Sequence, residues 1–501
     1  MQHLPDKLYR VDSVIQLEQI AINQCGVPAY ELMKRAGQAV FDVLRARYSQ
    51  HKNILVLCGA GNNAGDGYVV ARLAGQAGLN VSVISLIDPE TLKNEALQAY
   101  RDWSAIGENE AADISVFEKA DIVIDALLGT GLKREVAADW LDWIEAVNHA
   151  DKPVISVDIP SGLMADNGII AGAAIEADCT VCFIGLKQGL FTAQGKDVCG
   201  EILFDDLGVP GEIYCDVEAD ARLLNTIDYS LLPARKASSH KGKFGHVLIA
   251  GGNKGMPGAV ILAAKAALRT GAGLVTIITV PDNLTAICSA VPEAMVKSCE
   301  SAMLADVFSD SSLNSVSHVA VGMGLGQDDW SLAALHHCLA LNKPMLIDAD
   351  ALNLLAQHEI EVKSPLVISP HPGEAARLLS GDTQLSSADI QQDRFTAIKK
   401  LHKSVSHSAA CVVILKGSGT IIYDGQELKV CSSGNAAMAA PGMGDVLSGI
   451  TIALLAQGIS MSKAAELAVC LHASAADHLT NGKTRGLLAS DIIDALPEYL
   501  Q

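Results

Sequence analysis

The sequence predicts an α/β protein built from two domains, each with helices covering a mainly parallel sheet. Short apolar runs of strand length alternate with helix-length segments in both halves. Small and aliphatic residues abound while aromatic residues make up only 4%, which is typical of parallel α/β layers. A chain of 501 residues is long for one core, so we expect domains at 1–218 and 229–501, joined by a linker at 219–228.

In the first half, residues 11–48 predict two helices on either side of Pro28. A strand is expected at 53–58, followed by a Gly-rich turn and a helix at 68–77. Further strands of this half are expected at 81–87, 122–125, 153–157 and 180–184. The regular strand–turn–helix alternation favours a Rossmann-like three-layer domain.

The second half begins after a basic connection whose lysines, at 236, 241 and 243, are expected to be solvated. A strand at 247–250 then enters a Gly-rich turn and a helix whose small residues allow close packing on a sheet. Further strands are expected at 274–280, 319–324, 345–349, 366–369 and 411–415. This half therefore also favours an α/β architecture.

Charge and composition limit the classes of partner that the protein is expected to bind. The net charge of −20 argues against nucleic acid, because phosphate backbones need a basic surface, but local dipoles can still hold phosphorylated small molecules. Residues 1–10 have no apolar core and no run of about 18 apolar residues occurs, so we expect neither a signal peptide nor a membrane span. The 12 scattered cysteines suit reduced thiols in a cytoplasmic protein, and Cys179 and Cys182 are expected to pack in the core.

The stretch 434–445 is the most informative in the chain. It is small and Gly-rich, and it runs into an apolar helical pattern, so its backbone N–H groups form a candidate phosphate site at a helix N-terminus. A carboxylate such as Asp445 would repel phosphate unless it serves proton chemistry or a metal ion. The alternative is an ordinary helix entry with Asp445 as the N-cap.

A second Gly-rich stretch at 416–420 follows the strand-like run 411–415. Its Lys-Gly-Ser-Gly-Thr sequence offers a cation, a hydroxyl and close backbone approach to a phosphorylated ligand. The chain has no Walker-type Gly-x4-Gly-Lys-Ser/Thr motif, which excludes a P-loop enzyme.

In the first half, Gly59-x-Gly61-x-x-Ala64 fits a dinucleotide fingerprint, with Asp88 near the position of a ribose-binding acid. That pattern alone would suggest a dehydrogenase. The polar sequence at 62–67, Asn-Asn-Ala-Gly-Asp-Gly, argues against it, because a dehydrogenase keeps this elbow small.

Two further acidic residues follow strands of the same half. Asp125 leads into the anion-friendly loop 129–135, and Asp158 precedes Ser161. Because ligands bind beyond the carboxyl ends of parallel strands, we expect these residues to meet Asn63 and Asp66. Their oxygen atoms could hold K⁺ or Na⁺, although each Asp is also a common strand-end turn residue.

Together these motifs resemble the bifunctional NAD(P)H-hydrate repair enzymes over nearly the whole chain. The 62–67 sequence resembles the epimerase signature, with Ala64 in place of the commoner Gly. Gly442-Met443-Gly444-Asp445 resembles the anion hole and catalytic Asp of the ribokinase-like superfamily, while three other stretches, at 267–274, 371–374 and 416–420, indicate the dehydratase branch. The resemblance implies a ribokinase-like α/β fold for the C-terminal domain.

The resemblance also implies specific site residues. The catalytic residues would be Asp158 in the first domain and Asp445 in the second. Substrate contacts in the epimerase domain would be Asn62, Asn63, Ala64, Gly65, Asp66, Gly129, Thr130, Gly131, Leu132, Lys133, Arg134, Glu135 and Asp158. K⁺ would be held by Asn63, Asp125 and Ser161. Hydrate contacts in the dehydratase domain would be Ala259, Gly324, His371 and Asp445. Nucleotide contacts would be Lys416, Gly417, Ser418, Gly419, Thr420, Asn435, Met438, Gly442, Met443 and Gly444.

By the same resemblance, the substrates are NADHX and NADPHX, in which water has added across the nicotinamide ring. The first domain would interconvert the R and S epimers, and the second would dehydrate the S form with ADP, or less favourably ATP, and Mg²⁺. We also expect a cytoplasmic homo-oligomer of four or more chains. Three alternatives stay open: a ribokinase-like vitamin kinase, a non-catalytic N-terminal binding module and a simple dehydrogenase.

Overall fold

The computed structural model describes residues 4–232, 234–381, 384–406 and 410–500. It divides into two compact units, Met1–Leu223 and Leu224–Gln501. The division falls within the segment 219–228 predicted as a linker. That segment is not irregular throughout, because it contains the strand Ala221–Leu224.

The first unit contains a seven-stranded sheet in which every neighbouring pair is parallel. The strands of this unit are β1 (Lys7–Tyr9), β2 (Asn53–Cys58), β3 (Asn80–Ser85), β4 (Asn109–Glu110), β5 (Ile122–Ala126), β6 (Val154–Val157), β7 (Cys179–Phe183), β8 (Leu186–Lys187), β9 (Glu201–Asp205) and β10 (Ala221–Leu224). The sheet order is β4-β3-β2-β5-β6-β7-β9. Strand β1 pairs with β8 in parallel and with β10 in antiparallel fashion.

The helices of the first unit are α1 (Val11–Asn23), α2 (Ala29–Arg47), α3 (Asn62–Gln76), α4 (Asn94–Ser104), α5 (Ala138–His149), α6 (Gly195–Val198) and α7 (Ile213–Asp216). Two apolar clusters, one containing residues of α1 to α4 and the other of α5, pack with side chains of the sheet. Strands that are buried on both faces have continuous apolar sequences, which is why β2, β5 and β6 could be predicted from the sequence.

Helix α3 begins at Asn62, whereas the sequence predicted that it begins at residue 68. The Asn-Asn-Ala-Gly-Asp-Gly stretch is therefore the first turn and a half of a helix, and the turn proper is Gly59–Gly61 in sequence. Polar and Gly residues lower helix propensity, which concealed this start. Ala64 is fully buried in the apolar cluster, so its methyl group packs into the core.

The second unit contains a further sheet, with strands β11 (His246–Ala250), β12 (Leu274–Thr279), β13 (Met295–Ser298), β14 (His318–Val321), β15 (Met345–Ile347), β16 (Leu366–Ile368), β17 (Cys411–Leu415), β18 (Ile421–Tyr423) and β19 (Leu428–Cys431). They are ordered β13-β12-β11-β14-β15-β16-β17-β18-β19. Pairing is parallel from β13 to β17 and antiparallel in the β17-β18-β19 meander.

The helices of the second unit are α8 (Pro257–Thr270), α9 (Leu284–Ala290), α10 (Leu304–Ser309), α11 (Asp329–Ala340), α12 (Ala349–His358), α13 (Pro372–Leu379), α14 (Ser387–Gln392), α15 (Arg394–Val405), α16 (Met443–Ala456), α17 (Met461–Thr480) and α18 (Ala489–Ala495). Helices α8 and α16 pack very closely, since a Cβ atom at Gly449 would lie 2.2 Å from the Ala263 carbonyl oxygen. The small residues predicted in α8 make this approach possible. None of the described helices is both long and apolar enough to cross a bilayer.

Candidate active sites

Each unit gathers polar side chains at the carboxyl ends of its parallel strands. In the first unit, Asp125 lies near the end of β5, Asp158 directly follows β6, and Asn62 opens α3 directly after the turn that follows β2. This is the edge at which ligands bind in open α/β sheets.

Asp125 and Ser161 are joined directly. The Asp125 carboxylate is fully buried and accepts hydrogen bonds from the Ser161 Oγ (2.5 Å), the Ser161 backbone N–H (2.9 Å) and the Ser156 Oγ (2.8 Å). Burial raises the pKa of Asp125, and the hydrogen bonds from Ser161 and Ser156 oppose that rise. The Ser161 Oγ also accepts a hydrogen bond from the Leu128 N–H (2.8 Å), which ties this pair to the start of the 129–135 loop.

Asn63 lies at the same edge. Its side chain is buried, and its Nδ2 has no hydrogen-bond partner among the described residues. A Cβ atom at Gly129 would lie 3.3 Å from the Asn63 Cβ, so the helix start and the 129–135 loop are in contact. Farther along this loop the predicted substrate residues are mostly exposed: Gly131, Lys133, Arg134 and Glu135 are exposed, while Gly129, Thr130 and Leu132 are half-buried.

Asp158 is held in an unusual backbone conformation by a buried cation. Its φ is 65°, in the left-handed region that residues other than Gly rarely adopt. Its Oδ1 accepts hydrogen bonds from the Lys187 Nζ and from the Phe183 N–H (3.0 Å). Lys187 is 1% exposed and also donates to the Phe183 carbonyl oxygen at 3.0 Å. Backbone strain of this kind clusters at functional sites.

Asp66 is the carboxyl of this group without a bonded partner among the described residues. It is buried, and desolvation raises its pKa well above the usual range; the charges of Asp158 and Glu18 raise it further, while Lys187 lowers it. Burial likewise raises the pKa of Glu18, on α1, to about 7. Four ionisable side chains thus share one buried or half-buried region, and two of them, Glu18 and Lys187, were not predicted from the sequence.

Those two residues gave no local sequence signal. Lys187 lies in the two-residue strand β8, and Glu18 lies on an amphipathic helix where an acidic residue is ordinary. Asp88, the candidate ribose-binding acid, is exposed and caps a short turn by accepting the Glu90 N–H at 3.1 Å. Cys179 and Cys182 are buried thiols, as predicted for core packing.

In the second unit, Gly442 is the N-cap of α16 with φ 85°, in the left-handed region, and Asp445 lies in the first turn. The alternative in which Asp445 is itself the N-cap is therefore wrong. The N–H groups of Met443 and Gly444 belong to that same first turn. This is the arrangement expected of an anion site, with a carboxyl beside it.

The Asp445 carboxyl has no hydrogen-bond partner within the part of the chain that the structure describes. Burial raises its pKa to about 7, the charge of Asp348 adds to that rise, and Lys416 opposes it. A carboxyl that titrates near neutrality, unbonded and next to an anion site, has the properties of a general base.

Lys416 lies beside this turn. Its Nζ donates to Asp348 Oδ1 at 2.7 Å, and Asp348 Oδ2 accepts the Ser448 Oγ hydrogen bond at 2.7 Å. A Cβ atom at Gly444 would lie 3.3 Å from the Lys416 Nζ, so only Gly leaves this space open. Asp348 directly follows β15 and was not predicted as a site residue.

His371 and Glu374 form the capping box of α13. The Glu374 Oε2 accepts the His371 N–H at 2.8 Å and lies 3.9 Å from the Lys416 Nζ. Elsewhere in the unit, Ala259 and Gly324 are adjacent, since a Cβ atom at Gly324 would lie 3.0 Å from the Ala259 Cβ.

The second predicted nucleotide segment is anchored by α17. Asp477 accepts hydrogen bonds from the Gly434 N–H (2.8 Å) and the Asn435 Nδ2 (2.7 Å), and Thr480 Oγ1 accepts a second one from that Nδ2 (2.9 Å). Because the Asn435 Oδ1 also accepts the Ala437 N–H, the Asn435 side chain shapes the loop. A Cβ atom at Gly434 would lie 3.0 Å from the Met438 Sδ.

Comparisons with known proteins agree with this division. A family model described as NAD(P)H-hydrate dehydratase matches residues 247–498, and one described as YjeF-related protein N-terminus matches residues 29–189. The chain is similar to proteins named bifunctional NAD(P)H-hydrate repair enzyme Nnr. One from Vibrio cholerae is 43% identical, with 99% of each chain covered. One from Escherichia coli is 41% identical, covering 98% of this chain and 94% of the relative.

Among solved structures, the chain is similar to the ADP/ATP-dependent NAD(P)H-hydrate dehydratase from Bacillus subtilis, co-crystallised with ATP/Mg²⁺. That match has 30% identity and a TM-score of 0.47, and it covers 53% of this chain and 92% of the other.

Proposed function

The chain belongs to the bifunctional NAD(P)H-hydrate repair enzyme family, and from this premise we propose that it returns hydrated NADH and NADPH to their active forms in two steps. The first unit interconverts the R and S epimers of the hydrate. The second unit consumes ADP, or less favourably ATP, to dehydrate the S epimer. The observation that carries the proposal is the unbonded Asp445 carboxyl, with a pKa of about 7, in the first turn of α16.

In the second unit we assign Asp445 as the general base. It takes the proton from the ring hydroxyl as that oxygen attacks the terminal phosphorus of the nucleotide. The first-turn N–H groups of α16 and the Lys416 ammonium stabilise the negative charge on the transferred group. Phosphate then leaves from the ring with its bonding electrons, assisted by the lone pair of the ring nitrogen. The neighbouring ring carbon loses a proton to solvent, and the electrons of that C–H bond re-form the double bond. With ADP the products are NAD(P)H, AMP and phosphate.

Mg²⁺ is assigned no step in this scheme. Among the described residues, no group of three or more His, Cys, Asp or Glu side chains is arranged to hold a metal ion. The residues present therefore do not fit a magnesium site built from protein alone. Mg²⁺ commonly binds with substrate phosphates and few protein ligands, so we expect it to accompany the nucleotide.

In the first unit, the reacting carbon carries both a hydroxyl group and the ring nitrogen. Such a centre opens when the hydroxyl loses a proton and the nitrogen gains one, and it can then close from the other face. We propose that Asp158, bonded to Lys187, accepts the proton, and that Asp66, whose protonated form is favoured by burial, donates one. Asp158 therefore keeps the acid/base role predicted for it, and Asp66 joins it.

Asn63, Asp125 and Ser161 suit a monovalent cation through their oxygen atoms. Asp125 supplies a buried carboxylate and Ser161 a hydroxyl, and the buried Asn63 side chain, which carries an amide oxygen, lies at the same edge. Bound K⁺ would neutralise the buried carboxylate, and the Leu128–Ser161 hydrogen bond would couple that charge balance to the 129–135 loop.

Absorbance recovery at the reduced-nicotinamide band tests the proposal. Purified NADPHX containing both epimers is given to the enzyme with ADP, with ATP or with neither. We expect complete recovery with ADP and none without a nucleotide. A stable phosphorylated product in place of free phosphate would identify a kinase instead. Recovery of only the S fraction would identify the first unit as a non-catalytic binding module, and nicotinamide oxidation would indicate a dehydrogenase.

We propose, finally, that the enzyme works in the cytoplasm as a homo-oligomer of four or more chains, with domain limits at 1–218 and 229–501. Family membership is the basis of this proposal. Size-exclusion chromatography with light scattering tests the assembly, and a mass below four chains would contradict it.

A further inference from the structure

A buried cation in the second unit has no acidic partner. Arg394 opens α15, and its side chain is 0% exposed. The guanidinium forms no ion pair within the described residues, and burial alone lowers its pKa to about 10. An unpaired buried charge is costly, so its retention calls for a compensating interaction.

The only hydrogen-bond acceptors described for Arg394 are three backbone carbonyls, two in the predicted nucleotide loop and one at the end of β17. Its Nη1 donates to the Ser418 carbonyl oxygen at 2.5 Å, and its Nη2 donates to those of Leu415 and Lys416 at 3.1 and 3.2 Å. The guanidinium therefore fixes the turn between β17 and β18 from within the protein. Its Nε is buried and has no hydrogen-bond partner among the residues that the structure describes.

Gly417 is adapted to this cation. Its φ is 137°, and a Cβ atom there would lie 2.9 Å from the Arg394 Nη1. Any larger residue would push the loop away from the guanidinium. The loop therefore packs directly on the buried guanidinium, and Arg394 binds its carbonyl oxygens.

We propose that Arg394 is a positioning residue for the nucleotide, and that the phosphate groups bound at the 416–420 loop are the missing counter-charge of its guanidinium. The inference rests on the proposed function of the second unit and deepens it. Arg394 does not touch the ligand. It sets the shape of the loop and adds a positive potential beneath it, which is effective over several ångströms in a low-dielectric interior.

Two variants of the full chain distinguish the effect of the Arg394 charge from the effect of its hydrogen bonds on the loop. Arg394→Lys keeps the charge, and Arg394→Gln keeps hydrogen-bond donors without the charge. Lys429→Met is the matched control, because Lys429 is a buried cation (3% exposed) of the same unit that is already paired with Asp424 (2.8 Å) and Glu466 (3.0 Å). The ADP dissociation constant is measured by calorimetry at 50 and 500 mM KCl, and thermal unfolding checks that each variant is folded.

We expect the dissociation constant for ADP to rise about tenfold or more in Arg394→Gln, and clearly less in Arg394→Lys. Lys429→Met should bind ADP like the wild type despite its lower stability. High salt should weaken ADP binding less in Arg394→Gln than in the wild type, since one positive charge has been removed. A merely structural role would not change this salt dependence.

Equal loss of affinity in the two Arg394 variants, or wild-type affinity in Arg394→Gln, would overturn the inference while leaving the proposed function intact. Failure of the wild-type enzyme to bind either ADP or ATP would overturn the proposed function of the second unit, and the inference with it.

Discussion

At the residue scale, charge pairing divides the carboxyl groups of each unit into two kinds. Asp158 and Asp348 each form an ion pair with a buried or nearly buried lysine. Asp66 and Asp445 have no bonded partner among the described residues, and burial raises the pKa of both. Environments that separate the protonation states of neighbouring acids are how one site supplies both an acid and a base.

The pH dependence of dehydration follows from Asp445. A general base acts when deprotonated, so kcat/KM should rise with pH through about 7 and then level off. Asp348→Asn removes a negative charge that raises the pKa of Asp445, so the rising limb should move to lower pH. Steady-state rates from pH 5 to 9 check both points. Asp445→Asn should lose at least about 100-fold in rate. If the rising limb of the pH–rate profile did not shift in Asp348→Asn, the assignment of Asp445 as general base would be contradicted.

Epimerisation should depend on both carboxyl groups of the first unit. Asp66→Asn and Asp158→Asn should each slow clearance of the R epimer by at least about 100-fold, because each removes one partner of the proton transfer. Dehydration of the S epimer should not change. Asp88→Asn is the control, since Asp88 is exposed and only caps a turn. Chromatographic separation of the two epimers over time gives the rates, and normal clearance by Asp66→Asn would exclude it as the donor.

At the element scale, the close approach of strand ends should be sensitive to single methyl groups. A Cβ atom at Gly59 would lie 1.9 Å from the Leu127 carbonyl oxygen, so Gly59→Ala should force apart the ends of β2 and β5. Overpacking of this kind costs about 1–3 kcal/mol. We expect epimerase activity to fall and the dehydratase to be unaffected. Gly211→Ala is the control because no described atom lies within 4 Å of its Cβ position and Gly211 is exposed outside the predicted site. Chemical denaturation and the two activity assays test this, and an unaltered Gly59→Ala enzyme would contradict it.

The elements show which features a sequence can reveal. Buried strands such as β2 and β17 are apolar runs with a Gly within two residues of their carboxyl ends, so both were predicted at the residues where they lie. The start of helix α3 was predicted too late in the sequence because its first turns contain Asn and Gly. Asp445 and Asp158 could be proposed because recognisable motifs surround them. Lys187 and Arg394 could not, since each reaches its partner only after the chain has folded and neither lies in a motif.

At the scale of the whole molecule, each of the three described apolar clusters consists of buried residues from one unit. The clusters of the first unit contain residues between Tyr9 and Val217, and the cluster of the second contains residues between Leu224 and Leu496. Separate cores make separate cooperative units, so a single two-state transition is not expected on heating.

Ligands should therefore stabilise the two units selectively. Anything that binds only the folded state adds about 2.7 kcal/mol at 100 times its dissociation constant, which corresponds to a shift in Tm of several degrees. ADP should raise only the transition of the second unit, and replacing K⁺ with choline should lower only that of the first. Differential scanning calorimetry gives both transitions, and Asp125→Asn should abolish the K⁺ effect while the ADP effect persists. If ADP shifted the K⁺-dependent transition, the division of labour between the two units would be wrong. If K⁺ removal left both transitions in place, Asn63, Asp125 and Ser161 would not form a cation site.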